Sequence, residues 1–281
     1  MPSTFNNIPP CMSSMLVPFV LFLFISQICC SVRSTPLGND CPNTTTYSPY
    51  SSYRSNLESL LATLSSNANG GKSYYNSTSG GEDGSEKIYG MFLGRGDVSE
   101  DECQDCMTGA TAEIIQYCPK LKIAMVYYEH CFLRYSNQST YPEPDPSIFT
   151  NPNKSSSYVL RNGCTINIEP HRFSQQLRDM MDEIATAIDH WGKRFLTKET
   201  NFTNEKTIYT LAQCIPDLSA SDCLKCLKTV ITKFPVCCYG RRGARIYYPS
   251  CNIRYEEYLF YKIKTVPVSP PAPSKNKGRV C

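Results

Sequence analysis

The sequence predicts an α+β fold built twice: two tandem domains, each with two helices packed on an antiparallel sheet of about five strands and stapled by disulfides. Cys103, Cys106, Cys118 and Cys131 recur as Cys223, Cys226, Cys238 and Cys251, an offset of 120 residues. Other residues keep that offset: Ile88 and Tyr89 match Ile208 and Tyr209; Ala124, Tyr127 and Tyr128 match Ala244, Tyr247 and Tyr248; Arg134 and Tyr135 match Arg254 and Tyr255. Within each copy, helical periodicity gives way to Tyr-rich, β-branched runs. A unit of about 100 residues suits a single core and is too long for a solenoid repeat. One position breaks the match, because Cys214 precedes Cys223 by nine residues and its counterpart before Cys103 is Gly94.

In chain order, residues 1–31 read as a secretory leader, with cleavage expected between Ser31 and Ser34. Residues 15–28 are an apolar run of signal-peptide length rather than a membrane span. Cys11, Cys29 and Cys30 leave with the leader, so 13 of the 16 cysteines enter an oxidising compartment, where disulfides are the default. Five acceptor sequons agree with that route, at Asn43, Asn76, Asn137, Asn153 and Asn201. A formal charge of +3 is too small to argue for a nucleic acid or an acidic substrate, and no second hydrophobic span follows.

The first domain is placed at residues 35–138 and the second at 158–263. Between them, residues 139–157 form a Pro/Ser-rich linker marked by Pro142, Pro144, Pro146 and Pro152. Leu57, Leu60, Leu61 and Leu64 make the apolar stripe of a first helix, as do Phe173, Leu177, Met181, Ile184 and Ile188 in the second copy. A second helix starts where Ser99 precedes Glu102 by three and Ser219 precedes Asp222 by three, a capping arrangement that puts each CxxC pair on this helix. Pro119 is expected to end the first copy of this helix and Pro235 the second, slightly earlier. Residues 123–135 and 244–261 then read as strands. The tail, 264–281, carries Pro267, Pro270, Pro271 and Pro273 followed by Lys275, Lys277 and Arg279, and is expected to be disordered.

Three chemistries compete for Cys103-x2-Cys106 and Cys223-x2-Cys226. Zinc would want a second short Cys or His pair, but the chain has only His130, His171 and His190, in no such arrangement. A redox site would pair its own two cysteines between a strand and a helix of a parallel unit. The oxidising compartment favours structural disulfides, whose connectivity spacing alone leaves open. No metal or cofactor is expected. Nor is an enzyme: the histidines suggest no nucleophile, base and orienting group, and Gly94-x-Gly96 lacks the rest of a phosphate loop.

The Cys-x8-Cys-x2-Cys motif of Cys214, Cys223 and Cys226, with cysteines 12 and 25 residues further on, resembles the plant cysteine-rich secretory, or stress-antifungal, domain typified by ginkbilobin. The segment from Ala244 to Glu256, ARIYYPSCNIRYE, is similar to ectodomains of the cysteine-rich receptor-like kinases. The resemblance implies Cys164 to Cys238, Cys214 to Cys223 and Cys226 to Cys251 in the second domain, and Cys41 to Cys118 and Cys106 to Cys131 in the first. It leaves Cys103, Cys237 and Cys281 unassigned. Burial is expected for Cys103, Cys237 is an alternative partner for Cys164, and Cys281 in the tail would support a covalent homodimer.

Some ginkbilobin-like domains hold mannose through an Asn just after the first cysteine, an Arg seven after the fourth and a Glu five after the last. Here those positions are Thr165, Arg245 and Glu256 in the second copy, and Pro42, Met125 and Ser136 in the first. The second copy therefore keeps two of three and the first none. The resemblance implies a non-catalytic extracellular interaction module of plant defence or stress signalling, secreted to the apoplast, whose partner is another protein or receptor ectodomain, or a cell-wall glycan. The alternatives are a mannose-binding antifungal lectin acting through the second domain, and a truncated receptor-like kinase ectodomain.

Overall fold

The computed structural model describes residues 36–42, 45–81, 86–140, 159–161 and 166–263. The leader, residues 141–157 of the linker and the tail lie outside the described residues, as do Asn43, Asn153, Cys164, Thr165 and Cys281.

The first copy runs β1 (Gly38–Asp40), α1 (Ser52–Asn69), β2 (Tyr74–Ser79), β3 (Ile88–Gly94), α2 (Glu100–Tyr117), β4 (Ile123–Tyr127) and β5 (Cys131–Ser136). The second repeats it as β6 (Val159–Arg161), α3 (Pro170–Trp191), β7 (Phe195–Asn201), β8 (Thr207–Cys214), α4 (Ala220–Ile231), a short α5 (Phe234–Cys237), β9 (Ala244–Tyr247) and β10 (Cys251–Glu256). Both sheets are antiparallel, and their strand orders correspond: β1-β4-β5-β3-β2 and β6-β9-β10-β8-β7.

The helices follow their sequence signals. In α1 the stripe Leu57, Leu60, Leu61 and Leu64 is buried, and in α3 so are Phe173, Leu177, Met181, Ile184 and Ile188. Ser99 and Glu102 form a full capping box on α2, satisfying two N–H groups that the first turn would otherwise leave without partners. Ser219 Oγ accepts from the Asp222 N–H at 3.1 Å on α4. Helix α2 ends just before Pro119. Pro235 acts differently from expectation: α4 has already stopped at Ile231, and Pro235 lies in the first turn of α5, where its missing N–H costs no helical hydrogen bond. The expected strand 244–261 also divides, because β10 stops at Glu256 and residues 257–263 leave the sheet to meet the first domain.

Each helix pair is clamped to its sheet. Cys41 bonds Cys118, joining the end of β1 to the end of α2; Cys106 bonds Cys131, joining α2 to β5. In the second copy Cys226 bonds Cys251 and Cys214 bonds Cys223. The expected Cys164 to Cys238 pairing is not what the structure contains. Cys238 bonds its neighbour Cys237, at the end of α5, with Cα atoms 3.8 Å apart. With Cys237 and Cys238 joined to each other, the pairing expected from the resemblance does not form at Cys238, and Cys164 lies outside the described residues.

Cys103 is the one free cysteine among the described residues, and it is buried under β3. A Cβ built on Gly94 would lie 2.5 Å from the Cys103 Sγ, so the thiol fills the space that a cysteine partner occupies in the second copy. Burial pushes this thiol up to about 11. The folded chain therefore keeps the proton where the unfolded chain loses it, and stability falls as the pH rises above 9. Native protein at pH 8 is expected to leave Cys103 unmodified by iodoacetamide, with full labelling after unfolding in guanidinium. Rapid labelling of the native chain would place the sulfur at the surface.

Candidate functional site

The two sheets meet each other through the faces turned away from their helices. Strand alternation shows this in β4, where Ala124 and Val126 join the core beneath α1 and α2. Ile123, Met125 and Tyr127 instead join Met91, Leu93, Phe132 and the second domain in one apolar cluster. The Tyr127 and Tyr247 rings stack across this junction with centroids 4.5 Å apart. The Gln213 amide donates to the Gly94 carbonyl at 2.9 Å.

In β9 the core side takes Ala244 and Ile246, so Arg245 and Tyr247 face the first domain. The β9–β10 register places Arg245 directly opposite Arg254, a like-charge pair that is unfavourable on its own. Two carboxylates offset it. Glu256, on β10, accepts from Arg254 Nε at 2.9 Å and lies 4.0 Å from Arg245 Nε. Glu129, in the turn between β4 and β5 of the first domain, accepts from Arg245 Nη1 and Arg254 Nη1, each at 2.6 Å. Arg95 Nη1 donates to the same carboxylate at 2.8 Å and its Nε and Nη2 hold Asp97 at 2.6 and 2.9 Å. Residues 257–263 complete the lock. The Lys262 N–H donates to Asp97 Oδ2 at 2.8 Å, Lys262 Nζ pairs with Glu102 at 2.6 Å, and the Arg254 guanidinium lies 3.9 Å from the centre of the Phe260 ring.

Of the expected sugar contacts, Arg245 is 7% exposed and Glu256 1%, and their polar groups face protein partners at the junction between the copies. The offset explains why the site is one-sided. Met125 and Ser136 stand where the second copy has Arg245 and Glu256, while Pro249 stands where the first has Glu129. The first copy supplies Glu129 and the second Arg245, neither of which has a like residue at the matching position of the other copy. Glu129 is the residue that the sequence reading missed. Its signal was available in the comparison of the copies, since two arginines opposite each other in one hairpin call for a carboxylate that their own domain supplies only in part.

The salt stress response/antifungal family model matches residues 40–138 and 161–258. The chain belongs to this stress-antifungal family. Cysteine-rich receptor-like protein kinase 25 of Arabidopsis thaliana is 39% identical over 269 residues, which is 94% of this chain and 38% of the kinase. Cysteine-rich receptor-like protein kinase 7 of the same plant is 36% identical over 92% of this chain and 38% of its own length. The chain thus spans well under half of these relatives. It covers 94% of cysteine-rich receptor-like protein kinase 9, also of Arabidopsis thaliana, at 35% identity. Among solved structures, the tandem DUF26 ectodomain of the Arabidopsis thaliana cysteine-rich receptor-like protein PDLP8 aligns with a TM-score of 0.61 and 21% identity. That alignment covers 80% of this chain and 98% of that one. The PDLP5 ectodomain gives 0.57 and 22%, covering 80% and 100%. At such identities the likeness is one of fold. This stress-antifungal tandem shares its fold with those ectodomains, and no helix among its described residues is long and apolar enough to cross a membrane.

The junction is built to respond to acid. Burial pushes the Glu129 carboxyl up, but Arg245 and Arg254 outweigh it and hold it below its ordinary value of 4.5. Asp97 is likewise lowered from 3.8, with burial outweighed by Arg95 and the Lys262 N–H. The Lys262 ammonium and the Ser99 N–H hold Glu102 at about 2. Carboxylates depressed in the folded state contribute stability above their unfolded values and lose it as the pH falls through the folded ones. The thermal midpoint is therefore expected to drop between pH 5 and pH 3, and to drop less in Glu129→Gln, as differential scanning fluorimetry across that range would show.

Proposed function

We propose that this stress-antifungal tandem is a secreted, non-catalytic interaction module of plant defence or stress signalling, acting in the apoplast on a receptor-type ectodomain. The observation that carries the reading is where apolar surface remains once the two sheets have covered each other. Ile166 pairs with Arg241 in an isolated bridge, and around it Ile166, Ile168, Val236 and Tyr239 are 48–86% exposed. Tyr239 also lines a groove of about 370 Å³ together with Leu177, Met181 and Phe234. Exposed apolar residues gathered beside a groove mark a protein contact more often than a solvent face. The receptor-like kinase relatives suggest the partner class. Sugar binding through Arg245 and Glu256 is disfavoured by their engagement at the junction.

Biolayer interferometry of the purified chain against recombinant ectodomains of cysteine-rich receptor-like kinases tests the proposal. Binding is expected, with at least tenfold weakening by Ile168→Asp and little change for Asp105→Ala, an exposed position on α2 of the first domain. No binding to any of these ectodomains, together with mannose binding on a glycan array that Arg245→Ala abolishes, would establish the lectin instead.

A further inference from the structure

Asn76, Ser77 and Thr78 form an acceptor sequon in the middle of β2, at an exposed position. The amide is turned toward the second domain rather than to open solvent. Its Nδ2 donates to Asp217 Oδ2 at 2.5 Å, and Tyr74 Oη donates to the same carboxylate. Beside these groups is an open cavity of about 440 Å³, lined among others by Tyr89, Arg134 and Gln138 of the first domain and by Asp217 of the second. That volume is within the range that holds a small ligand. We propose that Asn76 carries an N-linked glycan whose first N-acetylhexosamine residue seats in this cavity and ties the two copies together.

The order of synthesis permits the modification despite the contact with Asp217. The two residues are 141 apart, so at roughly 5–20 residues per second Asn76 is exposed for several seconds before Asp217 exists. In the transfer, Nδ2 bonds to the anomeric carbon of a polyprenyl-diphosphate-linked oligosaccharide. The bond from that carbon to the diphosphate oxygen breaks and one Nδ2 proton passes to a base, with no change of oxidation state. The remaining Nδ2 proton can still be donated to Asp217 as the second domain closes. The cavity walls suit a sugar: Gln138 offers a planar amide, Asp217 an acceptor and Tyr89 a ring. Asn201 has a different setting, exposed at the end of β7 with its Oδ1 accepting from Thr207.

The inference rests on the extracellular reading, and one experiment separates the two. The full chain is secreted from insect cells and its glycopeptides are mapped, and peptide N-glycosidase is applied to native and denatured protein. Asn76 and Asn201 are both expected to be occupied, with native release at least tenfold slower at Asn76 and equal release after denaturation. Thr78→Ala removes the sequon but keeps the Asn76 amide, and is expected to lower the thermal midpoint by about 2–4 °C. Thr78→Ser should leave the midpoint unchanged, and Thr203→Ala should shift it by less than about 1 °C. An unmodified Asn76 beside an occupied Asn201 would overturn this inference and leave the extracellular reading standing, as would equal native release with no effect of Thr78→Ala. Glycan at none of the sequons would overturn both.

Discussion

Replacing Glu129 by alanine is expected to destabilise the protein by about 3 kcal/mol, because it leaves two opposed, buried guanidinium groups short of a counter-charge. The side chains of Arg245 and Arg254 are 9% and 7% exposed, so water cannot replace the carboxylate without opening the junction. Glu129 itself is 39% exposed, which places the effect at the low end of the ~3–5 kcal/mol typical of breaking a buried pair. Urea denaturation followed by far-UV circular dichroism measures it. Adding Arg254→Met to Glu129→Ala should restore part of the loss, since the second change removes one of the stranded charges. A loss below about 1 kcal/mol would mean that the apolar cluster around Tyr127 and Tyr247 holds the two copies together without the ionic network.

Gly94→Cys is expected to act in the opposite direction, closing a disulfide with Cys103 and stabilising the chain by about 2.5 kcal/mol. The second copy already contains this bridge: Cys214 stands opposite Cys251 on the strands, as Gly94 stands opposite Cys131, and it bonds Cys223 over a Cα–Cα distance of 5.8 Å. At Gly94 the new side chain would start beside the Cys103 sulfur, where a bond relieves a contact that is otherwise too close. Gly94→Ala has the same crowding without the bond and should destabilise by about 1–3 kcal/mol. Intact-mass analysis without reductant, after alkylation in denaturant, would show the loss of the Cys103 thiol. The thermal midpoint should rise by roughly 5–10 °C. A midpoint unchanged with the bond formed would mean that strain in the native strand offsets the gain.

Much of the architecture was legible because it is written in local pattern. The leucine stripe of α1, the Phe173 to Ile188 stripe of α3, and the Ser99 and Ser219 caps identify their helices from residues three or four apart. The Tyr-rich, β-branched runs at 123–135 and 244–261 could likewise be read as strands from local composition. The short edge strands β1 and β6 could not, because three residues carry no periodicity. Nor could the fates of Pro235 and of Cys237, since a proline ends one helix or begins another according to where the preceding helix has already stopped.

The candidate site was legible only in part. Arg245 and Glu256 were singled out through the family resemblance and do lie together, yet the group that engages Arg245 and Arg254 most closely was not among the residues read. By itself the sequence determined the duplication, the helices, the oxidised cysteines and the inequality of the copies, all properties of neighbouring residues or of a fixed offset. Only the tertiary structure decided that the unequal faces close on each other, and that Glu129 reaches arginines 116 and 125 residues away. The physical reason is that charge pairing depends on separation in space and on exclusion of water, and both arise only when the two sheets meet.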